Sequence, residues 1–220
     1  MIHPGLAIIL DMDGVIVNSN PVHRVAWDRF NAEYGLATTE AMHERMYGKR
    51  NDQIIRDFYG ENLPEEEVWA RSARKEALYR SLMAAGLERS LVPGIREFLG
   101  KLPGVPLGLG SNAEPANVDF LLDSAGLRPY FKAVVDGRQV DRPKPFPDIY
   151  LEVARLLGYR ACDCVIFEDS LSGVTAARAA GARVVGVRTT HHELPDVDLE
   201  VDDFTNDLLW PWLASQKPGL

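Results

Sequence analysis

The residues with chemical potential sit directly behind apolar runs. Asp11-Met12-Asp13-Gly14 follows Leu6–Leu10. Two carboxylates at i and i+2 on a Gly-assisted turn can reach one reacting centre. One can attack as a nucleophile while the other exchanges a proton with the departing or attacking oxygen. The same four residues also describe a plain turn or the start of a calcium loop. The calcium reading fails because the third acidic position is Val15 and no glutamate closes the loop. Glu168-Asp169 follows Cys164–Phe167. It can cap a helix starting near Ser172, or join Asp11 and Asp13 in an all-oxygen site suited to magnesium. Ser111-Asn112 offers a hydroxyl and an amide after a Gly-Leu-Gly strand end, and Lys144 is stiffened between Pro143 and Pro145. Those donors suit the equatorial oxygens of a transferring phosphoryl group. A bland turn or a solvated surface residue is the alternative for each, and it is their joint order along the chain that points to a site.

Positioning such groups takes a regular frame. The apolar runs Leu6–Leu10, Val105–Leu109, Ala133–Val135, Cys164–Phe167 and Arg183–Val187 read as buried strands. Helical patterns run from Ile95 to Lys101, Pro115 to Ala125, Pro147 to Leu157 and Ser172 to Ala180. Continuous buried strands alternating with helices predict an α/β fold with a doubly wound, Rossmann-like parallel sheet. Functional groups of such sheets collect beyond the carboxyl ends of the strands. From about Pro21 to Gly86 the alternation stops and the pattern is helical throughout. Pro64 with Glu65, Glu66 and Glu67 opens one helix there, for which Val68, Ala73, Ala77, Leu78 and Leu82 supply an apolar stripe. The expected organisation is a core domain of residues 1–17 plus 90–220 and a small all-helical cap of residues 18–89.

With these residues in view, the chain resembles the haloacid dehalogenase superfamily, and within it the β-phosphoglucomutase-like group with a helical cap. Four motifs carry the resemblance in order: DMDGV, GSN, RPKP and FEDS. The resemblance implies that Asp11 is a nucleophile forming an aspartyl phosphate and Asp13 a general acid/base. Ser111, Asn112 and Lys144 would bind the phosphoryl group. Glu168 and Asp169 would help hold Mg2+, together with an Asp11 carboxylate oxygen and the backbone carbonyl of Asp13. In the cap, His23 and Lys75 match a His and a Lys that couple cap closure to proton transfer in the mutases. Trp27 shares a helix face with His23. Gly48, Lys49 and Arg50 are candidates for a substrate's distal group. Dehalogenation is disfavoured, since metal-independent dehalogenases lack the second aspartate.

Departures from the mutases matter for the product. Where mutases place a serine and a lysine after the motif serine, this chain reads Asn112-Ala113-Glu114-Pro115. Glu114 would repel a second phosphate if it pointed into the crevice. Asn117 corresponds to a mutase asparagine only with a register shift, and Asn18 replaces a common acid. These changes favour a monophosphate phosphatase, with a phosphomutase as the alternative and a non-catalytic phosphometabolite-binding module as a third reading.

Bulk properties agree with a small-molecule enzyme. The 220 residues are 46% hydrophobic and 25% charged, an ordinary globular balance. A net charge of -8 opposes nonspecific binding to nucleic acid or anionic membranes. No apolar run reaches spanning length, and Met1–Leu10 lacks the features of a secretory leader. Cys162 and Cys164 are too close in sequence for an unstrained disulfide, so reduced thiols and a cytoplasmic location are expected. A monomer acting on a small phosphorylated metabolite is the expected state.

Overall fold

A computed structural model describes residues 2–46 and 49–219. Strand β1 (Ala7–Leu10) lies at the centre of the fold, with all four residues buried. It pairs in parallel with β2 (Leu107–Gly110) on one side and β4 (Cys164–Glu168) on the other. Strand β3 (Ala133–Val135) extends one edge; β5 (Arg183–Val187) and β6 (Leu199–Val201) extend the other, giving the order β3-β2-β1-β4-β5-β6. Side chains alternate across this sheet. Ala7 and Ile9 enter a cluster with Tyr150, Val153 and Ala177, while Ile8 and Leu10 enter one with Phe98, Leu121 and Val118. Both faces are therefore covered, as the unbroken apolar runs predict.

Helix α6 (Ile95–Gly100), α7 (Pro115–Ser124), α8 (Asp148–Leu157), α9 (Leu171–Ala179) and α10 (Leu209–Ser215) flank the sheet. Ahead of them, α1 (Asn20–Glu33), α2 (Glu40–Met46), α3 (Asn51–Tyr59), α4 (Glu65–Ala84) and α5 (Leu87–Ser90) form the helical stretch after β1. It has its own apolar cluster of Trp27, Phe30, Met46, Ile54, Ile55 and Val68. The two chain segments joining it to the sheet run side by side. Asn18 N–H donates to the Ser90 carbonyl at 2.7 Å, and Val92 N–H to that of Ile16 at 3.0 Å.

Three differences from the sequence pattern have physical causes. The second strand begins at Leu107, because Val105 is held in a turn by Leu102. Strand β6 was not expected; its three residues sit at the sheet edge between Asp198 and Asp202, where polar sequence hides a short strand. On α4 the expected stripe is buried only in part: Val68 is buried and Leu78 and Leu82 pack against the core. Ala73 and Ala77 are exposed, whereas Val68, Ser72, Lys75, Glu76, Tyr79 and Met83 are buried. Hydropathy alone misses the polar part of the buried face, because this helix also buries Ser72, Lys75 and Glu76.

Phe98 of α6 packs against Phe167 of β4, Phe204 and Trp210 of α10, with centroid separations of 5.3, 4.7 and 5.4 Å. It is 1% exposed and joins three elements. Phe98→Ala is expected to lower unfolding free energy by about 3–5 kcal/mol, read by urea denaturation. A loss below about 1 kcal/mol would show that this cluster does not anchor the sheet.

Candidate active site

Every motif singled out in the core emerges at the same edge of the sheet. Asp11 follows β1, Ser111 follows β2, the Gly137–Lys144 loop follows β3, and Glu168-Asp169 ends β4. Thr189 and Thr190 follow β5. Gly14 permits the turn that carries Asp11 and Asp13. Its φ is +79°, and a Cβ there would lie 1.8 Å from a carboxylate oxygen of Asp169. Any larger residue would be strained and would displace that acid.

The centre is a buried cation among carboxylates. Lys144 Nζ donates to Asp11 Oδ1 and to Glu168 Oε1, both at 2.6 Å. Tyr150 donates its hydroxyl to the same Glu168 oxygen at 2.5 Å. The other Glu168 oxygen accepts from the backbone N–H groups of Asp169 and Ser170 and from the Ser170 hydroxyl. Burial opposes the charge on Glu168, but Lys144, Tyr150 and the Ser170 N–H outweigh it and hold its pKa below the usual range. Burial likewise opposes the Lys144 ammonium, yet Asp11 and Glu168 raise its pKa above that of an ordinary lysine. Burial pushes Asp11 up to about 7, partly relieved by Lys144 and reinforced by Glu168 and Asp13. Asp169 rises well above the carboxylate range through burial and its neighbours Glu168 and Asp11.

Carboxylate oxygens of Asp11, Glu168 and Asp169 lie within 4.8 Å of one another, and all three residues are buried. One ammonium cannot neutralise three carboxylates, and the raised pKa values of two of them record the deficit. The trio fits a hard divalent cation, which takes oxygen ligands and would supply the missing positive charge.

A second polar chain descends from the helical stretch. Lys75 Nζ lies 2.8 Å from His23 Nδ1 and donates to Glu76 at 2.7 Å. With an ammonium on Nδ1, the imidazole carries its proton on Nε2, which lies 3.7 Å from Asp13 Oδ1. That Asp13 oxygen is buried and otherwise without a hydrogen bond. His23 is fixed by stacking on Tyr79 at 3.8 Å. Glu76 also accepts from Asn117 at 2.6 Å, and Arg80 donates to both Glu114 and Asn117 at 2.7 Å. Glu114 therefore lines the crevice with its charge matched by Arg80. Burial opposes ionisation of Glu76, but Lys75, His23 and Asn117 more than offset it and bring its pKa to about 2.

Both groups border one cavity of about 160 Å³. It brings together the core residues Asp11, Asp13, Ser111, Asn112, Lys144 and Asp169 with the helical residues His23, Trp27, Lys49, Arg50 and Lys75. Glu168 sits beneath, fully buried. Trp27 is 2% exposed, with its ring 4.8 Å from the Lys75 ammonium. Gly48 lies outside the described residues. The distal cations come with partners: Arg24 pairs with Glu40, Lys49 with Asp57 and Arg50 with Asp52. Sequence reasoning missed Thr190, whose hydroxyl donates to Asp169, and Asn20, which donates to Thr190 at 2.5 Å. The position of Thr189-Thr190 right after a strand was the available signal. It also missed Tyr150, Arg80 and Arg138, which lie in helices or loops without a motif.

The comparisons with known proteins fit this geometry. The family profile for haloacid dehalogenase-like hydrolases matches residues 6–181. Fructose-1-phosphate phosphatase YqaB of Escherichia coli is 34% identical over 182 residues, covering 82% of this chain and 95% of that protein. β-Phosphoglucomutase of Bacillus subtilis is 29% identical over 189 residues, covering 82% of each. A crystal structure of a CbbY mutant from Rhodobacter sphaeroides, in complex with xylulose-(1,5)bisphosphate, superposes with a TM-score of 0.81 at 28% identity, covering 94% of this chain and 96% of that one. The chain belongs to the haloacid dehalogenase-like hydrolases, within their β-phosphoglucomutase-like group. It is a phosphohydrolase or phosphotransferase of that superfamily. No helix among the described residues is long and apolar enough to cross a membrane.

Glu76 yields a pH prediction. Its pKa is lowered on folding, so its stabilisation is complete above the ordinary value of 4.5 and is lost as pH falls towards about 2. Wild type should lose about 3 kcal/mol more than Glu76→Gln across that window, measured by denaturant unfolding at successive pH values. Parallel profiles for the two proteins would remove Glu76 from the acid response.

Proposed function

We propose that this protein is a magnesium-dependent phosphatase for a small phosphorylated metabolite, a sugar phosphate, working through an aspartyl phosphate on Asp11. The observation that carries the reading is the Lys144 ammonium joining Asp11 and Glu168 below a cavity also bordered by Asp13. Lys144 takes Asp11 Oδ1, which leaves the other carboxylate oxygen to attack phosphorus. As the P–O bond to the substrate breaks, Asp13 gives its proton to the departing oxygen. Asp13 then takes a proton from water, whose oxygen attacks the aspartyl phosphate. The Asp11–phosphorus bond breaks and inorganic phosphate leaves. Ser111 and Lys144 donate to the phosphoryl oxygens, and His23, with Nε2 3.7 Å from Asp13 Oδ1, helps to position that carboxylate.

Asp11, Glu168 and Asp169 would hold Mg2+ through carboxylate oxygens, with the Asp13 carbonyl completing the protein ligands. When bound, the ion offsets repulsion between Asp11 and the incoming phosphate. We assign residues 18–89 to a cap that closes over the core of residues 1–17 and 90–220, hinging where Asn18 pairs with Ser90. Closure brings Lys49, Arg50 and His23 to the substrate and excludes water while the aspartyl phosphate forms.

Phosphate release is favoured over a mutase cycle by the pairing of the cap cations. A mutase must hold a second phosphate in two orientations, and Arg24, Lys49 and Arg50 already have carboxylate partners. The position after the phosphate motif carries Glu114 joined to Arg80, with no cation to spare. The similarity to fructose-1-phosphate phosphatase YqaB supports the same product. The mutase remains the alternative because β-phosphoglucomutase is also a relative.

Magnesium should raise the unfolding free energy of the wild type by about 2–3 kcal/mol at saturating ion. Asp169→Asn should be more stable without metal, because it removes a buried like charge, and should lose the magnesium increment. An unchanged increment in that variant would move the ion elsewhere. EDTA should stop turnover, with calcium restoring it poorly.

Incubation with a hexose 1-phosphate, magnesium and trace hexose 1,6-bisphosphate should yield mostly free phosphate. Asp11→Asn should reduce the rate by more than ~10³-fold, since an amide cannot accept the phosphoryl group. Quantitative conversion to the 6-phosphate without phosphate release would establish the mutase, and near-normal turnover in Asp11→Asn would end the covalent mechanism.

A further inference from the structure

The cavity has one cation that its own carboxylates do not claim. Arg138 lines it from the loop after β3, and among the described residues no acid pairs with its guanidinium. An exposed arginine is ordinarily just solvated. This one is built in. Its backbone N–H donates to Asp136 Oδ1 at 2.8 Å, and the Asp136 N–H donates to Gln139 at 2.7 Å, closing the turn on itself. Gly137 seats that turn on the phosphate motif: its N–H donates to the Ala113 carbonyl at 3.0 Å, and a Cβ there would lie 2.4 Å from the Asn112 carbonyl oxygen. From the opposite wall, the Trp69 ring of α4 stacks under the guanidinium, 5.0 Å from centroid to carbon. Stacking occupies the guanidinium face and leaves its in-plane N–H groups for a ligand.

We propose that Arg138, backed by Trp69, is a subsite for a carboxylate at the end of the substrate remote from the phosphate. This rests on the phosphatase reading of the same cavity and narrows its substrate to a phosphorylated sugar acid. One planar guanidinium matches one planar carboxylate in charge and in its pair of donors. A second phosphate would need more positive charge than Arg138 alone supplies, and the neighbouring Arg50 is bound to Asp52. A neutral sugar end would give the guanidinium no counter-charge, and among the described residues no acid supplies one. Trp69 lies on the helical side and Arg138 on the sheet side, so the subsite is complete only when the two sides meet.

Matched probes of two lengths test this: glycerol 3-phosphate against 3-phosphoglycerate, and glucose 6-phosphate against 6-phosphogluconate, with fructose 1,6-bisphosphate as the doubly phosphorylated comparison. At one length the acid should be favoured in kcat/KM by roughly 10–100-fold, the scale of a charge-assisted pair. Arg138→Gln should bring that ratio to within about twofold of unity, and Arg138→Lys should recover only part of it, having lost the planar fork. Arg155→Gln, which alters a surface arginine on α8 outside the cavity, should keep the ratio. Calorimetric binding of the same probes to Asp11→Asn separates this subsite from the catalytic reading. An acid preference in binding, with no phosphate released by the wild type, would overturn the phosphatase and keep the subsite. No preference for acid at either length, a preference for the bisphosphate, or a ratio unmoved by Arg138→Gln would overturn the subsite.

Discussion

A single ammonium buried among three carboxylates sets the terms for this protein. Lys144 reaches Asp11 and Glu168 at 2.6 Å, with Asp169 close behind. Removing ions from water costs several kcal/mol each, and such a group is retained only where geometry and further hydrogen bonds repay it. Here Tyr150, Ser170 and backbone N–H groups do so for Glu168, which remains ionised. Asp11 and Asp169 receive less, and their pKa values rise. The sheet exists, in effect, to make that arrangement affordable. Its strands are buried on both faces, so their ends are rigid, and rigid ends can hold like charges closer than water would permit. A flexible scaffold would let the acids separate; held together here, Asp11 and Asp169 show the strain as raised pKa values instead.

The same imbalance links the core to the helices above it. The core brings an excess of negative charge and the helical face opposite brings His23 and Lys75, but their charges do not simply cancel. Lys75 is committed to Glu76 and His23, and Glu76 to Asn117. The contact between the two sides is thus a chain of directed hydrogen bonds, each partner orienting the next. Such a chain is strong only when all members are satisfied. Opening the helical side would separate Asn117 from Glu76 and Glu114 from Arg80, exposing all four to water. The cost is moderate, because charges return to solvent when their partners leave. A contact made of such polar groups would part more readily than an apolar seam between the two sides.

How much of this was legible in the sequence depends on where a residue sits. Asp11, Ser111 and Glu168-Asp169 were visible because each follows an apolar run, and buried strands leave little freedom about where the next residue points. The parallel sheet was visible for the same reason, while the short edge strand Leu199–Val201 had too little apolar content to stand out. Helix α4 shows why the rest was hidden. Its buried face contains Ser72, Lys75 and Glu76, and only tertiary partners make their burial tolerable. Sequence periodicity measures hydropathy and cannot anticipate a satisfied polar face. Glu114 is a related case: its acidity suggested repulsion of phosphate, and its meaning changes once Arg80, far off in sequence, is found 2.7 Å away.

Charge pairing across the cavity therefore carries more information about the ligand than the number of charges lining it. Counting Arg24, Lys49, Arg50, Lys75, Arg138 and Lys144 would describe a strongly cationic pocket suited to any polyanion. Subtracting the carboxylates already engaged with them reverses that description. Lys144 and Lys75 belong to buried networks, and Arg24, Lys49 and Arg50 have acids of their own. A ligand that drew one of these cations away would leave its acid without a partner, and the gain would be reduced by that loss. Among the described residues Arg138 alone of these cations has no acid partner, so most of the positive charge around the cavity is already engaged by the protein's own carboxylates.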